Sequence, residues 1–433
     1  MHRFFKSEFF NFEFLRILST APYGGCEIGD ALVVASRIND CDAESWSQEW
    51  ADMSSKAEAL AEEAQSLGDT CAARGAFLRA ANYSRASQYM LSNSHLGPDL
   101  RVLQRLEKSR DLFKRGIALL EIATAHPLSI PFKNEVELLA YLYIPNMNAK
   151  RQNSTGRYPL VIILDGGDST QEEMFIACGL AGLARGYAIL TFDGPGQGIL
   201  LKRDKVPMEP AYEKVTSTVL DYVEKMESSA ELSHLSVDLD RVAVVGHSLG
   251  AYFALRSCVD LRIKACIAID PSYDMWDLLA SRIPAWLIEG WSGDYIPDGV
   301  LNSIVRVLQR LNFQMRWEVE HMLAIMGAES PAQAIRNLRK FSLRLAKGEE
   351  YLSEAQCAIL VSGAAKSMYF DPTSDTRKVF EALGHLDISR KECWIADSVE
   401  QGGLSAKIAA FELANHRIFT WCDRHIGLEK VRA

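Results

Sequence analysis

Residues 241–252 read R-V-A-V-V-G-H-S-L-G-A-Y. Val242 to Val245 are an unbroken apolar run, the pattern of a buried strand. They lead straight into Gly246-His247-Ser248-Leu249-Gly250. Small and apolar residues at Ala251, Phe253, Ala254 and Leu255 then continue as a helix. Strand, sharp turn and helix together form the setting in which G-x-S-x-G lifts a serine hydroxyl clear of a sheet. Gly246 and Gly250 leave room for a strained turn, and the helix N-terminus offers free N–H groups to a developing oxyanion. The alternative is a tight strand-to-helix turn carrying an ordinary serine.

Outward from this turn, strand signals alternate with helical ones. Residues 136–144 (V-E-L-L-A-Y-L-Y-I) read as a strand ending at Pro145, and 146–157 follow as a polar turn. Residues 158–164 are a nearly all-apolar strand that feeds Asp165-Gly166-Gly167-Asp168-Ser169-Thr170. A helix to Arg185 precedes the strand 187–192, which meets D-G-P-G-Q-G at 193–198; residues 210–226 are helical. Beyond the central turn, 263–269, 355–362 and 391–396 are strands, and a helix over 405–425 closes the chain. This alternation implies a parallel sheet with right-handed crossovers. The interval between Pro271 and Ala355 is too long for a simple crossover and carries Trp276, Trp286, Trp291 and Trp317. It reads as short helices forming a lid over the strand ends, where open α/β sheets build their pockets; a purely structural cap is the alternative.

Ahead of the strands the pattern is helical over 45–67, over 70–91, and from Pro98 toward Ala123, with a loop at 93–97. Nothing recurs at a fixed period, so a helical array is excluded. The expected organisation is a helical domain over 1–130, an α/β core over 131–271 and 356–433, and an inserted lid over 272–355. A net charge of −9 without a basic stripe argues against nucleic acid as a partner. Nine cysteines scattered singly fit reduced thiols and a cytoplasmic location. The Phe-rich residues 1–18 are interrupted by Arg3, Lys6, Glu8, Glu13 and Arg16, so they do not read as a signal peptide. They are expected to pack against the body of the protein or a partner subunit, and a homodimer through the helical leader is expected. No 18-residue apolar stretch predicts a membrane span.

The order of core elements resembles the α/β-hydrolase fold. F-E-F-L-R-I-L-S-T-A-P-Y-G-G (12–25), S-W-S-Q-E-W (45–50) and R-G-A-F-L-R-A-A-N-Y-S-R-A-S-Q-Y (74–89) resemble the helical leader of one subfamily. L-D-G-G-D-S-T-Q-E-E (164–173) and F-D-G-P-G-Q-G (192–198) are similar to the same group. It is the 2,6-dihydropseudooxynicotine-hydrolase-like group, with a C–C bond hydrolase and fungal hydrolase-like enzymes of polyketide and cytochalasan-type pathways. The resemblance spans nearly the whole chain. It implies an enzyme that cleaves a C–C or ester bond in a polyketide-like or aromatic small molecule.

A serine hydroxyl needs a base within hydrogen-bond reach, itself oriented by a carboxylate. In this fold the chain order is Ser, then Asp or Glu, then His after the last strand. Ser248 is the expected nucleophile, with Leu249 N–H one oxyanion donor and the N–H of Gly167 or Asp168 the second. After the strand ending Val361-Ser362-Gly363 the first carboxylate is Asp371, a catalytic acid or an ordinary turn-forming Asp-Pro. The resemblance adds Asp168, because the subfamily carries a functional acid in this loop; the rival role is a local Asx hydrogen bond. The loop 397–405 after the last strand contains no histidine. His321 in the lid, His385, His416 and His425 remain as bases, while His247 normally points away from the serine. An oxyanion hole without a triad base still stabilises an enolate, so a cyclase or condensing catalyst stands as an alternative, as does a non-enzymatic binding protein. The glycine run at 193–198 has neither a Walker lysine nor G-x-G-x-x-G, and H-x-x-x-H is missing. No cofactor and no metal are expected. The lid tryptophans point to an apolar or aromatic ligand.

Overall fold

The computed structural model describes residues 2–91, 99–146, 156–228, 236–345 and 348–427. Eight strands form one sheet: β1 Ala123–Pro131, β2 Glu137–Pro145, β3 Tyr158–Leu164, β4 Ala188–Phe192, β5 Val237–His247, β6 Ile263–Ile269, β7 Ala358–Ala364 and β8 Lys391–Ala396. Their order is β1-β2-β4-β3-β5-β6-β7-β8. β2 pairs antiparallel with β1 and β4, and the pairs from β4 through β8 are parallel. β3, β4 and β7 are buried at every position, as strands covered by helices on both faces must be. In register, Leu164 stands beside Gly246 and His247 beside Ile269. The loops after β3, β5 and β6 therefore emerge side by side.

The sequence reading missed β1. The helix expected to run toward Ala123 stops at Ile117, and the following residues pair with β2, Pro127 opposite Tyr141. Proline is tolerated there because β1 is an edge strand whose unpaired side needs no donor. The closing helix starts at Phe411 rather than Ser405, because Ala406, Lys407 and Ala409 adopt φ of 54°, 61° and 69°. The expected loop at 93–97, Pro98 and most of the polar turn 146–157 lie outside the described residues.

Five helices precede the sheet: Glu8–Leu18, Ile28–Arg37, Ala43–Ser66, Thr70–Tyr89 and Leu100–Ile117. Asp42, Asp69 and Asp99 start the last three by accepting backbone N–H bonds from Glu44, Ala72 and Arg101. The Phe-rich N-terminus is a helix buried in the body of the chain. Phe10 meets Trp46 edge-on at 5.4 Å, and Phe9 lies 5.2 Å from Trp317. Among the described residues five further α-helices lie between β6 and β7: Met275–Ala280, Ala285–Ser292, Asp298–Leu311, Phe313–Ile325 and Pro331–Leu338. They have a small core of their own around Leu287, Trp291, Leu301 and Ile335. Among the described residues no helix is long and apolar enough to cross a membrane.

Candidate active site

Ser248 follows β5 with φ 57° and ψ −123°, a conformation costly for any residue with a Cβ. Packing enforces it. A Cβ on Gly246 would fall 1.9 Å from the Gly250 carbonyl oxygen, and one on Gly250 would fall 2.4 Å from that of Leu164. Only glycines let the helix Leu249–Ser257 close on the strand this tightly. The Ser248 N–H donates to the Ile269 carbonyl (2.8 Å), which ties the turn to β6. Leu249 opens the helix, where the first N–H groups have no intrahelical acceptor.

The loop after β3 lies against this turn. A Cβ on Gly167 would sit 3.3 Å from Leu249 Cδ2, so the two expected oxyanion donors are neighbours. The glycine-rich run after β4 holds the loop from below. Gln197 Nε2 donates to the Asp165 carbonyl (2.6 Å), and its Oε1 accepts from Gly194 N–H and Tyr212 OH, both at 2.8 Å. That run is a buttress of the site.

Asp168 lines the cavity above Ser248, and its Oδ2 accepts from Tyr89 OH (2.5 Å) and Arg16 Nη1 (3.0 Å). Burial alone would raise its pKa, but Arg16, His321 and Tyr89 outweigh burial and hold it near 2. Arg16 also grips Glu173 through both carboxylate oxygens at 2.6 and 2.7 Å, with Arg85 3.3 Å from the same carboxylate. Glu13 lies 3.3 Å from Arg16, and burial, only partly offset by that arginine, lifts it to about 7. This buried cluster was not recognised from sequence. The signal was Glu13 and Arg16, three residues apart in an otherwise aromatic helix.

The positions usually given to a catalytic acid and histidine are occupied differently. Asp371 is exposed and caps the turn after it, accepting from Thr373 N–H (2.6 Å) and Ser374 N–H (3.2 Å). The structure does not bring it to Ser248. In the segment after β8, Lys407 is fully buried, and its Nζ donates to Asp270 Oδ1 (2.9 Å) and the Gly363 carbonyl (2.8 Å). Asp270 Oδ2 accepts the Ala406 N–H (2.6 Å). An ion pair thus joins the segments after β6 and β8. Burial raises the Asp270 pKa against the pull of Lys407, and burial lowers that of Lys407. Neither residue stood out in sequence.

The histidines separate by location. His416 is exposed on the closing helix. His385 contacts the Ala355 carbonyl (2.8 Å), and His425 packs on Trp421 (4.3 Å) beside Cys258 and Arg390. Those contacts belong to the ends of β6 and β7 remote from Ser248. His247 is buried with no hydrogen bond to Nδ1, and burial, then Lys407, lowers its pKa to about 4. His321 reaches the cavity of Ser248, its Nε2 lying 2.9 Å from the Gly167 carbonyl oxygen. Among the described residues Ser248 Oγ makes no hydrogen bond to a histidine.

That cavity, about 220 Å³, has Ser248, Leu249 and Gly167 at its base. Its walls are mostly apolar and include Leu279, Met322, Ile325 and Phe341 from the segment between β6 and β7 and Phe370 from the segment after β7. Of the four tryptophans between β6 and β7, Trp317 lines it. Trp291 is in the small core of that segment with Trp276 packed against it, and Trp286 is exposed. Among the described residues no cluster of side chains fits a metal ion.

The sheet order, the strained serine turn and the neighbouring glycine loop together define one class of protein, and sequence comparison agrees. Residues 166–388 match the alpha/beta hydrolase family, and the chain belongs to it. Its relatives are fungal hydrolases. Hydrolyase poxO of Penicillium oxalicum is 45% identical over 99% of this chain and the whole of that protein. The 20-hydroxy-prefusarin hydrolase FUS2 of Gibberella moniliformis is 42% identical over 99% of each chain. The crystal structure of 2,6-dihydroxy-pseudo-oxynicotine hydrolase superimposes with a TM-score of 0.69 at 20% identity, covering 94% of this chain and 95% of that one. The fold, including the helical leader, is therefore shared with that enzyme.

Proposed function

We propose that this protein is a serine hydrolase of fungal secondary metabolism that cleaves a C–C or ester bond in a polyketide-like or aromatic small molecule. The observation that carries the reading is Ser248, strained on its turn at the base of a lidded apolar cavity. The names of its relatives support the substrate class, since FUS2 acts on 20-hydroxy-prefusarin. In this reading Ser248 Oγ attacks a carbonyl carbon, and the N–H groups of Leu249 and Gly167 or Asp168 receive the oxyanion. The apolar walls exclude bulk water, which strengthens those hydrogen bonds. Ionised Asp168 is the acid of the site. A cytoplasmic location and a homodimer through the N-terminal helices belong to the same proposal. The dimer is supported by exposed Ile28, Leu32 and Val33 on one helix, and sedimentation as a monomer would remove it.

Lys407 after β8, and a Ser248 hydroxyl without a hydrogen-bonded histidine, favour a second reading. The same donors would then stabilise an enolate and promote cyclisation or condensation. Fluorophosphonate labelling of wild type beside Ser248→Ala, with the labelled peptide identified by mass spectrometry, separates the two. Labelling at Ser248 supports the hydrolase. A folded wild type that resists labelling favours the second reading.

A further inference from the structure

His321 sits one helical turn after Trp317 on the lid helix Phe313–Ile325, its ring stacked on that indole at 4.9 Å. Trp317 is fixed in turn: it stacks on Tyr89 at 4.8 Å, and its Nε1–H donates to the Tyr89 carbonyl (2.7 Å). The imidazole is therefore held by the N-terminal helices as well as by the lid. Its Nε2 partner, the Gly167 carbonyl, can only accept, so Nε2 carries the proton. In the neutral ring the bare nitrogen is then Nδ1. Burial, with Lys202 nearby, lowers the ring's pKa to about 4, so it is neutral at ordinary pH.

A second, more polar cavity of about 50 Å³ shares Asp168, Trp317 and His321 with the reaction cavity, and Lys202, Glu320 and Gln88 are among its other lining residues. At about 10–15 Å³ for each water it has room for a few. His321 is thus part of the wall between the apolar chamber of Ser248 and a polar one with room for water. The charged groups around the ring are Lys202 from the helix Gly198–Lys202, Asp168 from the loop after β3, Arg16 from the first helix and Glu320 on its own helix, with Glu318 and Arg282 lining the reaction cavity beside it. Asp168, kept ionised by Arg16 and Tyr89, is the counter-charge for an imidazolium.

We propose that His321, delivered by the lid, is the proton-transfer residue of this site in place of the histidine missing after β8. The polar chamber supplies its water. The proposal rests on Ser248 as nucleophile. Ser248 Oγ bonds to the carbonyl carbon, the hydroxyl proton moves to His321 Nδ1, and the carbonyl electron pair moves onto the oxygen. Collapse of that oxyanion expels the leaving group, which takes the proton from Nδ1. Water then adds to the acyl carbon and gives a proton to Nδ1. Collapse of the second intermediate returns that proton to Ser248 Oγ. One water is consumed, and a carboxylic acid and a protonated leaving group are released.

The test is the rate at which a fluorophosphonate labels Ser248, measured across pH in wild type, His321→Gln and His321→Ala. Glutamine keeps an N–H donor for the Gly167 carbonyl but is no base, so unfolding midpoints near wild type are expected for that variant. Labelling should slow by about 10²–10⁴-fold in both, the usual contribution of a positioned acid–base group. The wild-type rate should fall as the ring protonates in acid, the Gln variant should lose that limb, and added imidazole should rescue the Ala variant only. Labelling of His321→Gln within about threefold of wild type overturns the proposal and leaves Ser248 standing. A wild type that never labels overturns both.

Discussion

Arg16→Met should cost far more stability than any surface ion pair in the chain. The guanidinium is buried and bonds Glu173 at 2.6 and 2.7 Å, Asp168 at 3.0 Å and Glu13 at 3.3 Å. Removing it leaves Glu173 with Arg85 at 3.3 Å as its remaining partner in an ion pair and strips Asp168 and Glu13 of theirs. Breaking a buried pair on one side costs about 3–5 kcal/mol, whereas an exposed pair such as Lys56–Asp52 contributes about 0–1 kcal/mol. The loss should also depend on pH. In wild type the folded-state pKa of Glu13 is raised to about 7, so the folded state holds its proton longer than the unfolded one. That term makes stability fall as pH rises from about 4.5 to 7 and then level off. Without Arg16 the folded-state pKa rises further, and the fall continues above 7. Urea unfolding followed by tryptophan fluorescence should therefore show a larger deficit near pH 8 than near pH 6. A deficit below about 1 kcal/mol, or one equal at both pH values, would mean that Arg16 does not hold these carboxylates as a buried ion pair.

Glu13→Gln removes the same titration without removing the arginine. Its stability should decline less than wild type between about pH 4.5 and 7, by roughly 3 kcal/mol, and equal slopes would show that Glu13 is not the source. Lys407→Met leaves Asp270 buried and uncompensated and should cost about 3–5 kcal/mol, measured as a urea midpoint. Lys407→Met with Asp270→Asn should recover most of that; a double variant as unstable as the single one contradicts a structural ion pair. Asp371→Ala should lose about 1 kcal/mol as a cap is removed, with Ser248 labelling unchanged, whereas collapse of labelling would make Asp371 a catalytic acid.

Much of the architecture was legible because it is written in local patterns. The run Val242 to Val245, the flanking glycines and the apolar strand 158–164 announce a buried parallel sheet and its central turn. β1 was not legible, since two prolines contradict a strand unless its place at the edge is known. The site was legible only as far as adjacent residues carry it. Ser248, Leu249 and Gly167 meet because the ends of β3 and β5 are in register. The Arg16–Asp168 contact spans 152 positions and Lys407–Asp270 spans 137, and no periodicity encodes pairs that distant. The tryptophans between β6 and β7 could not be sorted for a related reason: composition does not say which face of a helix meets a cavity, and of the four Trp317 lines it.

The central claim is that Ser248 carries the substrate's acyl group. Its most direct test is mass spectrometry of the protein quenched in acid during turnover of a p-nitrophenyl ester. The expected result is an adduct of one acyl group on the peptide containing Ser248, absent in Ser248→Ala. Release of p-nitrophenol without any adduct on that peptide, or an adduct and turnover that persist in Ser248→Ala, would contradict it.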